Sequence, residues 1–391
     1  MTSLLPGATL GVIGGGQLAR MMVLEARRMG YRVCVLAPDR MEPAVTLADE
    51  WVEGELDDMQ AAEKLAKIAD VVTVDTEHVP ASILTYLEHL LPVRPAASVL
   101  RTVQDRRVQR RFLDEIGVAQ PHWSPVLSVE ELKDAASRVG FPCVLKRAHA
   151  GYDGKGQRTV RDLSELAEAW DAIGGGPAIV EEFVRFDCEV SALLARNPRG
   201  EVCFYPMAHN THRNHVLRTT IAPAGLDPAL EEHGCELAAR IASSLDHVGM
   251  MAVEMYLVGG DTLLVNEIAP RPHNSGHYTF GACVTSQFEQ HVRAVFDLPL
   301  GDPALPRPAA MVNLFGDLWT DGEPDWMQVL LQPEAHLHLY GKAEARPGRK
   351  MGHLLVVDED PRIALQTAEK LLARLESRTP EGAESERARP T

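Results

Sequence analysis

The sequence contains few cysteines and no pairing pattern among them. Six of its 391 residues are cysteine, and no two of them form a C-x-x-C motif. This spacing argues against a zinc site built on paired cysteines and against the dense disulfide framework of a small secreted protein. We therefore expect a reducing compartment, the cytoplasm. The cysteines are Cys34, Cys143, Cys188, Cys203, Cys235 and Cys283.

Long hydrophobic runs are also absent. No apolar run approaches the roughly 20 residues that a membrane-spanning helix needs, so we expect no membrane segment. The first basic residue is Arg20, and the chain enters a run of three glycines at residues 14–16 before a helical pattern begins. A secretory signal peptide would carry a basic segment before its apolar stretch, so we expect none here.

Basic residues are in deficit, with 39 Lys and Arg against 55 Asp and Glu and a net charge of −16. Nucleic-acid binding depends on basic patches, so we expect no nucleic-acid partner. Small phosphorylated ligands need only a local cluster of cations and stay compatible with this charge. A content of 45% hydrophobic and 24% charged residues is that of a globular protein.

The chain is longer than the roughly 250–300 residues at which single cores stop growing, which favours several domains. Strand-like and helix-like segments alternate over residues 8–95, and this alternation predicts a parallel sheet covered by helices. A proline cluster near residue 305 marks a second boundary, and the Glu-, Arg- and Pro-rich end predicts disorder. The predicted units are 1–104, 105–305, 306–375 and a tail over 376–391.

A glycine turn follows the first predicted strand. Gly14, Gly16 and Ala19 fit the G-x-G-x-x-G/A form, and Asp39 lies where a ribose-binding acid would be expected. Taken alone, this pattern indicates a dinucleotide-dependent oxidoreductase. The alternative is that the glycines only allow close packing of a strand on a helix.

A second glycine-rich segment covers residues 150–157, after a strand predicted at 142–146. Its glycines leave the backbone free to fold over a phosphate chain, and Lys146 and Lys155 supply cations. The spacing is not that of the G-x-x-x-x-G-K-[ST] phosphate loop. We interpret the segment as a lid over nucleotide phosphates, with a flexible hairpin turn as the alternative.

Two strands predicted at 250–258 and 262–268 flank a short turn. A two-residue turn at Gly260-Asp261 would make paired residue numbers sum to 521, so that Glu254 faces Glu267. Opposed carboxylates repel, and a divalent cation such as Mg²⁺ would relieve the repulsion, with Asn266 adding a neutral oxygen. The alternative is a register shifted by one residue, which would leave Glu254 in solvent.

Polar residues continue directly after the second of these strands. An Arg, two His and an Asn occupy residues 271–277 and could stabilise a transferring phosphoryl group beside the acid pair. Asp75 and Glu77 follow the strand predicted at 71–74, at the end of a parallel strand where ligand contacts concentrate. A basic cluster over Lys342 and 346–350 is either an exposed loop or a phosphate site for a substrate.

Together these segments resemble the ATP-grasp superfamily, and within it the ATP-dependent 5-(carboxyamino)imidazole ribonucleotide synthetases of purine biosynthesis. The strings that carry the resemblance are Gly-Gly-Gln-Leu-Ala-Arg (15–20), Gly-Tyr-Asp-Gly-Lys-Gly-Gln (151–157), His-Asn-Ser-Gly-His (273–277) and Arg-Pro-Gly-Arg-Lys-Met-Gly-His (346–353). The resemblance covers about residues 8–375. It implies an α/β and α+β chain: a Rossmann-like pre-ATP-grasp domain, an ATP-grasp domain, a small β-rich C-terminal domain and a homodimer.

The family's activity implies three small-molecule partners: ATP, bicarbonate and 5-aminoimidazole ribonucleotide. Carboxyphosphate would form from ATP and bicarbonate, and its carboxyl group would pass to the amine of the ribonucleotide. Carboxyphosphate is labile in water, which gives a closing lid a mechanistic purpose. Mg²⁺ or Mn²⁺ is the implied cofactor.

Site residues are carried over from the resemblance position by position. The ATP contacts would be Arg106, Lys146, Gly151, Tyr152, Asp153, Gly154, Lys155, Gly156, Gln157, Glu181, Glu182, Phe183, Val184, Glu189, His212, Asn266 and Glu267, with residues 181–184 as the adenine hinge. Glu254 and Glu267 would hold the metal. The ribonucleotide contacts would be Gln17, Glu77, Tyr152, Asp153, Asn274, Lys342 and Arg349. The candidate catalytic residues are Asp153, Lys155, Arg271 and His273, and the resemblance leaves open whether Asp153 or His273 takes the amine proton.

The chain departs from the family pattern over residues 73–79. Val74, Asp75 and Thr76 stand where the family usually has Tyr, Glu and Phe, whereas Glu77 is retained. Other ATP-grasp ligases, such as formate-using glycinamide ribonucleotide transformylase or biotin carboxylase, would use the same ATP residues. The 273–277 and 346–353 strings argue against both.

Overall fold

The computed structural model describes residues 3–149 and 156–377. The predictions for Gly151, Tyr152, Asp153, Gly154 and Lys155, and for the tail from residue 378, lie outside the described residues. Three β-sheets organise the described part of the chain.

The first sheet is parallel, with strand order β3-β2-β1-β4. Strands β1, β2 and β4 are almost wholly apolar and buried, as expected for a sheet covered on both faces, whereas the edge strand β3 exposes both of its glutamates. This confirms the prediction drawn from the alternation over residues 8–95. The elements of this part are β1 (Thr9–Ile13), α1 (Gln17–Arg28), β2 (Arg32–Ala37), β3 (Glu50–Glu53), α2 (Met59–Ala66), β4 (Val71–Val74), α3 (Ala81–Glu88) and α4 (Ala97–Gln104).

The second sheet is a small antiparallel one, with order β5-β8-β6-β7. An arginine-rich helix precedes it and begins at an Asp105 N-cap, whose carboxylate accepts from the Arg107 N–H. The elements are α5 (Arg106–Glu115), β5 (Trp123–Val126), α6 (Val129–Val139), β6 (Cys143–Arg147), β7 (Gln157–Val160), α7 (Leu166–Ala172) and β8 (Ala178–Glu182).

The third sheet is the largest, with order β14-β13-β9-β11-β12-β15-β17-β16 and β10 paired on β9. It runs across the proline cluster near residue 305, because β12 pairs with β15. Its elements are β9 (Cys188–Arg196), β10 (Val202–Phe204), β11 (Ala208–Arg213), β12 (Val216–Ala222), α8 (Pro228–Ser244), β13 (Gly249–Val258), β14 (Thr262–Ala269), α9 (Thr279–Ala282), α10 (Gln287–Val295), β15 (Ala309–Phe315), α11 (Met327–Leu330), β16 (Ala335–Leu339), β17 (Lys350–Val357) and α12 (Pro361–Glu376).

The β13–β14 hairpin corrects one prediction and confirms another. Its loop has three residues rather than two, since Val258 pairs with Thr262, and both Gly259 and Gly260 have positive φ, at 63° and 81°. Near the loop, paired numbers therefore sum to 520. A β-bulge between Glu254 and Met255 adds one residue on β14 and restores the sum of 521, so Glu254 does face Glu267.

Helix α10 joins the first sheet to the third and was not predicted from the sequence. Its side chains are buried on nearly all sides, including four polar ones at positions 287 and 289–291. The ring of His291 bridges the two sheets. Nε2 lies 2.8 Å from Oγ1 of Thr73 in β4, and Nδ1 accepts from the Met250 N–H of β13 at 3.0 Å.

Candidate active site

A cavity of about 860 Å³ lies where the three sheets meet. It collects side chains from the glycine turn, the end of β4, helix α5, β6, the strands β9 and β11 to β14, and the start of β17. Of the predicted site residues, its lining includes Gln17, Glu77, Arg106, Lys146, Gln157, Glu189, His212, Glu254, Asn266, Glu267, Arg271, His273 and Asn274.

The acid pair faces this cavity because of the bulge on β14. A bulge places two consecutive residues opposite one, and here both Asn266 and Glu267 line the cavity across from Glu254. Burial, together with the negative charges of Glu267 and Glu189, raises the pKa of Glu254 to about 7 against the opposing effect of His212. Oε2 of Glu267 lies 3.9 Å from Nη2 of Arg106.

These donors fit a metal ion that also takes oxygens from a ligand. Within residues 3–149 and 156–377, no three His, Cys, Asp or Glu side chains converge as a complete metal site. Mg²⁺ is commonly held by one or two carboxylates together with nucleotide phosphates. A cation would also remove the repulsion that the facing carboxylates of Glu254 and Glu267 otherwise carry.

A buried ion network stands behind the nucleotide end of the cavity. The Glu181 carboxylate accepts from Nε of Arg110 and lies beside Nζ of Lys146, both at 2.6 Å. Burial alone would raise the pKa of Glu181, but the two cations outweigh it and hold the pKa near 2. Burial lowers the pKa of Lys146, and Glu181 opposes that effect. Glu181 therefore stays ionised and fixes Lys146 at the cavity wall.

The predicted adenine hinge lies beside this network but does not line the cavity. Glu181 lies at the end of β8 with its side chain committed to Arg110 and Lys146, and the Phe183 side chain is exposed. The backbone N–H of Glu182 donates to the His122 carbonyl, and that of Phe183 to the Pro142 carbonyl. Val184 follows outside the strand.

Two side-chain contacts position the cavity wall that faces the Glu181 network. Nδ1 of His212 lies 2.8 Å from Oε2 of Glu189. Burial lowers the pKa of His212, but Glu189 and Glu254 outweigh it, so the net shift is upward. Gln157, at the start of β7, approaches Nδ1 of His215 at 3.0 Å, and Gly156 before it has a φ of 73°.

Arg271 is held by Glu77, which ties the first sheet to the centre of the cavity. Nε of Arg271 donates to the Glu77 carboxylate at 2.6 Å. Burial raises the pKa of Glu77, but Arg271 overcomes this and leaves the pKa at about 2. The Arg271 pKa is raised in turn, because Glu77 outweighs its burial. Both groups therefore carry their charges at neutral pH.

His273 and Asn274 complete this wall. Burial and the nearby cations Arg271 and Lys350 lower the pKa of His273 to about 3, so its ring is neutral. Nε2 of His273 lies 3.7 Å from Oε1 of Glu254. Both amide atoms of Asn274 are buried without a protein partner in the described part of the chain, although the residue lines the cavity. A ligand in the cavity could satisfy them.

The glycine turn is filled by protein, which argues against the dinucleotide hypothesis. Oδ2 of Asp75 accepts from the Gly16 N–H at 2.8 Å, in the place where a pyrophosphate would bind. A Cβ on Gly14 would lie 1.9 Å from Oδ1 of Asp75, so the glycine permits this contact. Asp39 is exposed and caps its own turn by accepting from the Met41 N–H.

The basic cluster reaches the cavity through Lys350, not through the two residues predicted to bind phosphate. Nζ of Lys342 donates to the Lys350 carbonyl at 2.7 Å, and Arg349 donates to the Glu344 carbonyl. Burial and the neighbouring charges of Arg349 and Lys350 lower the pKa of Lys342 to about 8. Lys350 itself lines the cavity.

Two lining residues, Arg110 and Gln104, were not predicted from the sequence, and His277 was noted within the 271–277 segment without becoming a candidate site residue. Arg110 had a usable signal, because it lies one helical turn after Arg106 and so shares its face of α5. Gln104 ends the unpredicted helix α4, and its amide donates to the carbonyls of Glu77 and Val79.

Comparisons with known proteins match the chain along most of its length. Family models match residues 7–104 (ribonucleotide synthetase preATP-grasp domain), 111–288 (ATP-grasp domain) and 309–367 (phosphoribosylaminoimidazole carboxylase C-terminal domain). The N5-carboxyaminoimidazole ribonucleotide synthase of Bacillus subtilis (strain 168) is 39% identical over 351 residues, covering 89% of this chain and 91% of the relative. The chain belongs to the N5-carboxyaminoimidazole ribonucleotide synthase family.

Other members of the synthase family agree. The Brucella melitensis synthase is 41% identical, over 90% of this chain and 97% of its own. The Thermus thermophilus synthetase structure has a TM-score of 0.87 at 41% identity, covering 95% and 100% of the two chains. The Aspergillus clavatus synthase, in complex with ADP and 5-aminoimidazole ribonucleotide, has a TM-score of 0.86 at 30% identity and covers 95% and 100%.

Family membership confirms the predicted fold class: an ATP-grasp fold with a preATP-grasp domain before it and a C-terminal domain after it. It also confirms the predicted assignment to the carbon–nitrogen ligases of this family. Within the described residues, no helix is both long and apolar enough to cross a membrane.

Proposed function

We propose that this protein carboxylates the amine of 5-aminoimidazole ribonucleotide, using ATP and bicarbonate, in purine biosynthesis. The observation that carries the proposal is the cavity itself. It joins a cationic nucleotide end at Lys146 and Arg106 to a carboxylate pair and to the 271–274 wall, in a chain of the synthase family.

The ATP phosphates would bind at the cationic end. Lys146 is held by Glu181, so its ammonium is fixed in place before the nucleotide arrives. Arg106 begins α5 and lies near Glu267, which favours a position between phosphates and the acid pair. The remaining ATP contacts carried over from the family pattern, including Gly156, Gln157, residues 181–184, Glu189 and His212, stay part of this proposal.

Glu254, Glu267 and the phosphates would hold one or two Mg²⁺ ions, with Mn²⁺ as the substitute. When bound, the cation supplies charge neutralisation on the phosphate oxygens. The protein's part is to keep both carboxylates on one face of the hairpin, which the bulge at Asn266 achieves.

The reaction would proceed in two steps, formation of carboxyphosphate and transfer of its carboxyl group. A bicarbonate oxygen attacks the γ-phosphorus, the bond to the β-phosphate oxygen breaks, and ADP and carboxyphosphate result. The amine nitrogen then attacks the carboxyl carbon, phosphate leaves, and the nitrogen loses one proton. Arg271, whose charge Glu77 secures, would stabilise the anionic oxygens in both steps. Asp153 or His273 would take the proton.

The ribonucleotide would lie between the glycine turn and the basic cluster. Gln17 and Asn274 line the cavity, and the Asn274 amide, which has no partner among the described residues, is available to a ligand. Tyr152, Asp153 and Glu77 stay proposed contacts, although the Glu77 carboxylate already serves Arg271. Lys342 and Arg349 stay the proposed phosphate contacts.

We further propose a homodimer in the cytoplasm. Six free thiols suit a reducing compartment. Light scattering of the purified chain tests the dimer, which predicts twice the chain mass of 42.9 kDa.

Phosphate release tests the ligase proposal. Mg-ATP and bicarbonate are supplied with and without 5-aminoimidazole ribonucleotide, and the proposal predicts strong stimulation by the ribonucleotide. Turnover that instead requires formate or biotin would move the assignment to another ATP-grasp ligase. An absence of ATP turnover under every condition would contradict the enzyme assignment.

A further inference from the structure

Gln287 lies on α10 directly behind the 273–277 loop and is fully buried. Its Oε1 accepts from the His273 N–H at 2.9 Å, and its Nε2 donates to the His273 carbonyl at 2.8 Å. A backbone N–H can only donate and a carbonyl can only accept, so these two bonds fix which end of the amide is oxygen and which is nitrogen.

This orientation determines the tautomer of His277. Nε2 of Gln287 lies 3.1 Å from Nδ1 of His277. An amide nitrogen only donates, so Nδ1 must accept and the neutral ring carries its proton on Nε2. Nδ1 is thereby occupied. Within residues 3–149 and 156–377 no protein group takes the Nε2 proton, and His277 lines the cavity.

The loop is shaped to allow this contact. A Cβ on Gly276 would lie 2.4 Å from Oε1 of Gln287, so only glycine lets the amide approach. Thr279 links the same elements, because its hydroxyl donates to the Gly276 carbonyl at 2.7 Å and accepts from the Gln287 N–H at 2.9 Å. These contacts give the glycine of the His-Asn-Ser-Gly-His string a physical role.

The surroundings keep the His277 ring neutral. Burial lowers its pKa well below the usual value, and nearby charges act in the same direction. The ring also packs against His353 at 4.8 Å and Tyr340 at 6.3 Å between centroids. Titratable and charged groups from three elements face the ring. They are Arg271 and His273 in the preceding loop, His338 in β16 with Tyr340 directly after it, and Lys350 and His353 in β17.

We propose that Gln287 is a positioning residue that holds His277 as a neutral Nε2–H donor toward an anionic oxygen of the bicarbonate-derived group. The identity of that oxygen rests on the proposed function. The tautomer does not, so the two can fail separately.

The first test is the ring proton itself. Protein labelled with ¹⁵N-histidine is examined by two-bond ¹H–¹⁵N correlation, and His277 is assigned from the spectrum of the His277→Asn variant. We expect the Nε2–H pattern in the wild-type protein from pH 6 to pH 8. An Nδ1–H or doubly protonated ring would overturn the proposal, whatever reaction the protein catalyses.

The second test uses two matched variants of α10. In Gln287→Glu the carboxylate can accept from Nδ1, so His277 should move to the Nδ1–H or imidazolium form. Gln290→Glu is the control. Gln290 is equally buried and makes the same two-bond clamp, on the N–H and carbonyl of Gly301 at 2.7 and 2.8 Å, away from the cavity.

We expect Gln287→Glu to lower kcat about tenfold or more, as for loss of an aligned donor, with the KM for ATP within about twofold of wild type. Gln290→Glu should lose similar thermal stability but keep its kcat and the Nε2–H signal. Equal loss of kcat in both variants, with His277 unchanged, would overturn the positioning role. Should Gln287→Glu not fold, the wild-type spectrum still decides the tautomer.

Discussion

At the scale of single residues, buried carboxylates fix the positions of the cations that line the cavity. Glu181 and Glu77 are both held ionised by buried cations, and each fixes a cation at the cavity wall, Lys146 and Arg271 respectively. Glu254 differs, because burial and like charges raise its pKa to about 7. Two carboxylates thus position protein cations, whereas the facing pair lacks a compensating protein charge of equal strength within the described residues.

Replacement of Glu267 by Gln should remove activity without unfolding the protein. The side chain is half exposed, so the substitution costs little stability, but one of two carboxylates for the cation is lost. We expect kcat to fall by about 10²-fold or more, with the Tm within about 2 °C of wild type. Asp261→Asn, at the tip of the same hairpin, is the control and should keep its activity. Equal activity of Glu267→Gln and wild type would refute the metal assignment.

The Glu77–Arg271 pair predicts a specific acid dependence. The folded pKa of Glu77 is about 2 against 4.5 for the free group, so the unfolded chain binds more protons between these values. The stabilisation is present above pH 4.5 and is lost as the pH falls toward 2, at most about 3 kcal/mol.

Urea unfolding from pH 6 to pH 3 measures this dependence. Glu77→Gln should be less stable at pH 6 and should lose less stability on acidification than wild type. Parallel curves for the two proteins would show that Glu77 does not carry the depressed pKa.

At the scale of elements, the glycine turn is a packing device around Asp75. Gly14 and Gly7 have nearly the same φ, 103° and 102°, but only Gly14 has a neighbour within reach of a Cβ. Alanine substitutions at these two positions therefore distinguish the cost of backbone strain from the cost of a steric clash.

Gly14→Ala should destabilise the protein more than Gly7→Ala does. Both carry the cost of a positive φ, about 1 kcal/mol, but only Gly14→Ala meets the Asp75 carboxylate. We expect an extra loss of about 2 kcal/mol in denaturant unfolding, and Asp75→Ala should relieve that extra part in the double variant. If Gly14→Ala and Gly7→Ala lower the free energy of unfolding equally, the Asp75 carboxylate does not occupy the glycine turn.

Helices and strands that are marked by a pattern in their own sequence could be predicted. Those that depend on contacts with other parts of the chain could not. The strand predicted at 71–74 agrees at both ends, and those predicted at 142–146, 250–258 and 262–268 agree within one residue, since apolar runs bounded by turns define them. Helix α10 was missed, because several of its buried polar side chains are satisfied by partners outside the helix, such as Thr73 and Gly301. Sequence cannot show such partners.

In the candidate site too, contacts within one hairpin could be predicted, whereas contacts between distant parts of the chain could not. Glu254 opposite Glu267 was predicted correctly although the turn was not, because the bulge at Asn266 compensated for the longer loop. The pairing of Glu77 with Arg271 joins residues 194 positions apart, and no local pattern indicates it. The roles proposed for residues 151–155 lie outside the described residues and stay predictions.

At the scale of the whole molecule, three sheets meet around one cavity, and helix α10 ties two of them together through His291. The third sheet continues from the ATP-grasp strands into the C-terminal strands through the pairing of Thr219 with Val312. Lys350, at the start of β17, therefore reaches the same cavity as Lys146 and Arg271. This arrangement suits a reaction in which a phosphoryl acceptor and an amine must meet without water.

Oxygen transfer from bicarbonate to phosphate tests most directly whether the reaction passes through carboxyphosphate. The protein is incubated with Mg-ATP, 5-aminoimidazole ribonucleotide and ¹⁸O-labelled bicarbonate, and the released phosphate is analysed by mass. A carboxyphosphate intermediate predicts one ¹⁸O atom in each phosphate, because a bicarbonate oxygen attacks the γ-phosphorus and remains on the phosphate when the amine takes the carboxyl group. Phosphate that carries only solvent oxygen, released at the same rate without the ribonucleotide, would rule out carboxyphosphate as the intermediate.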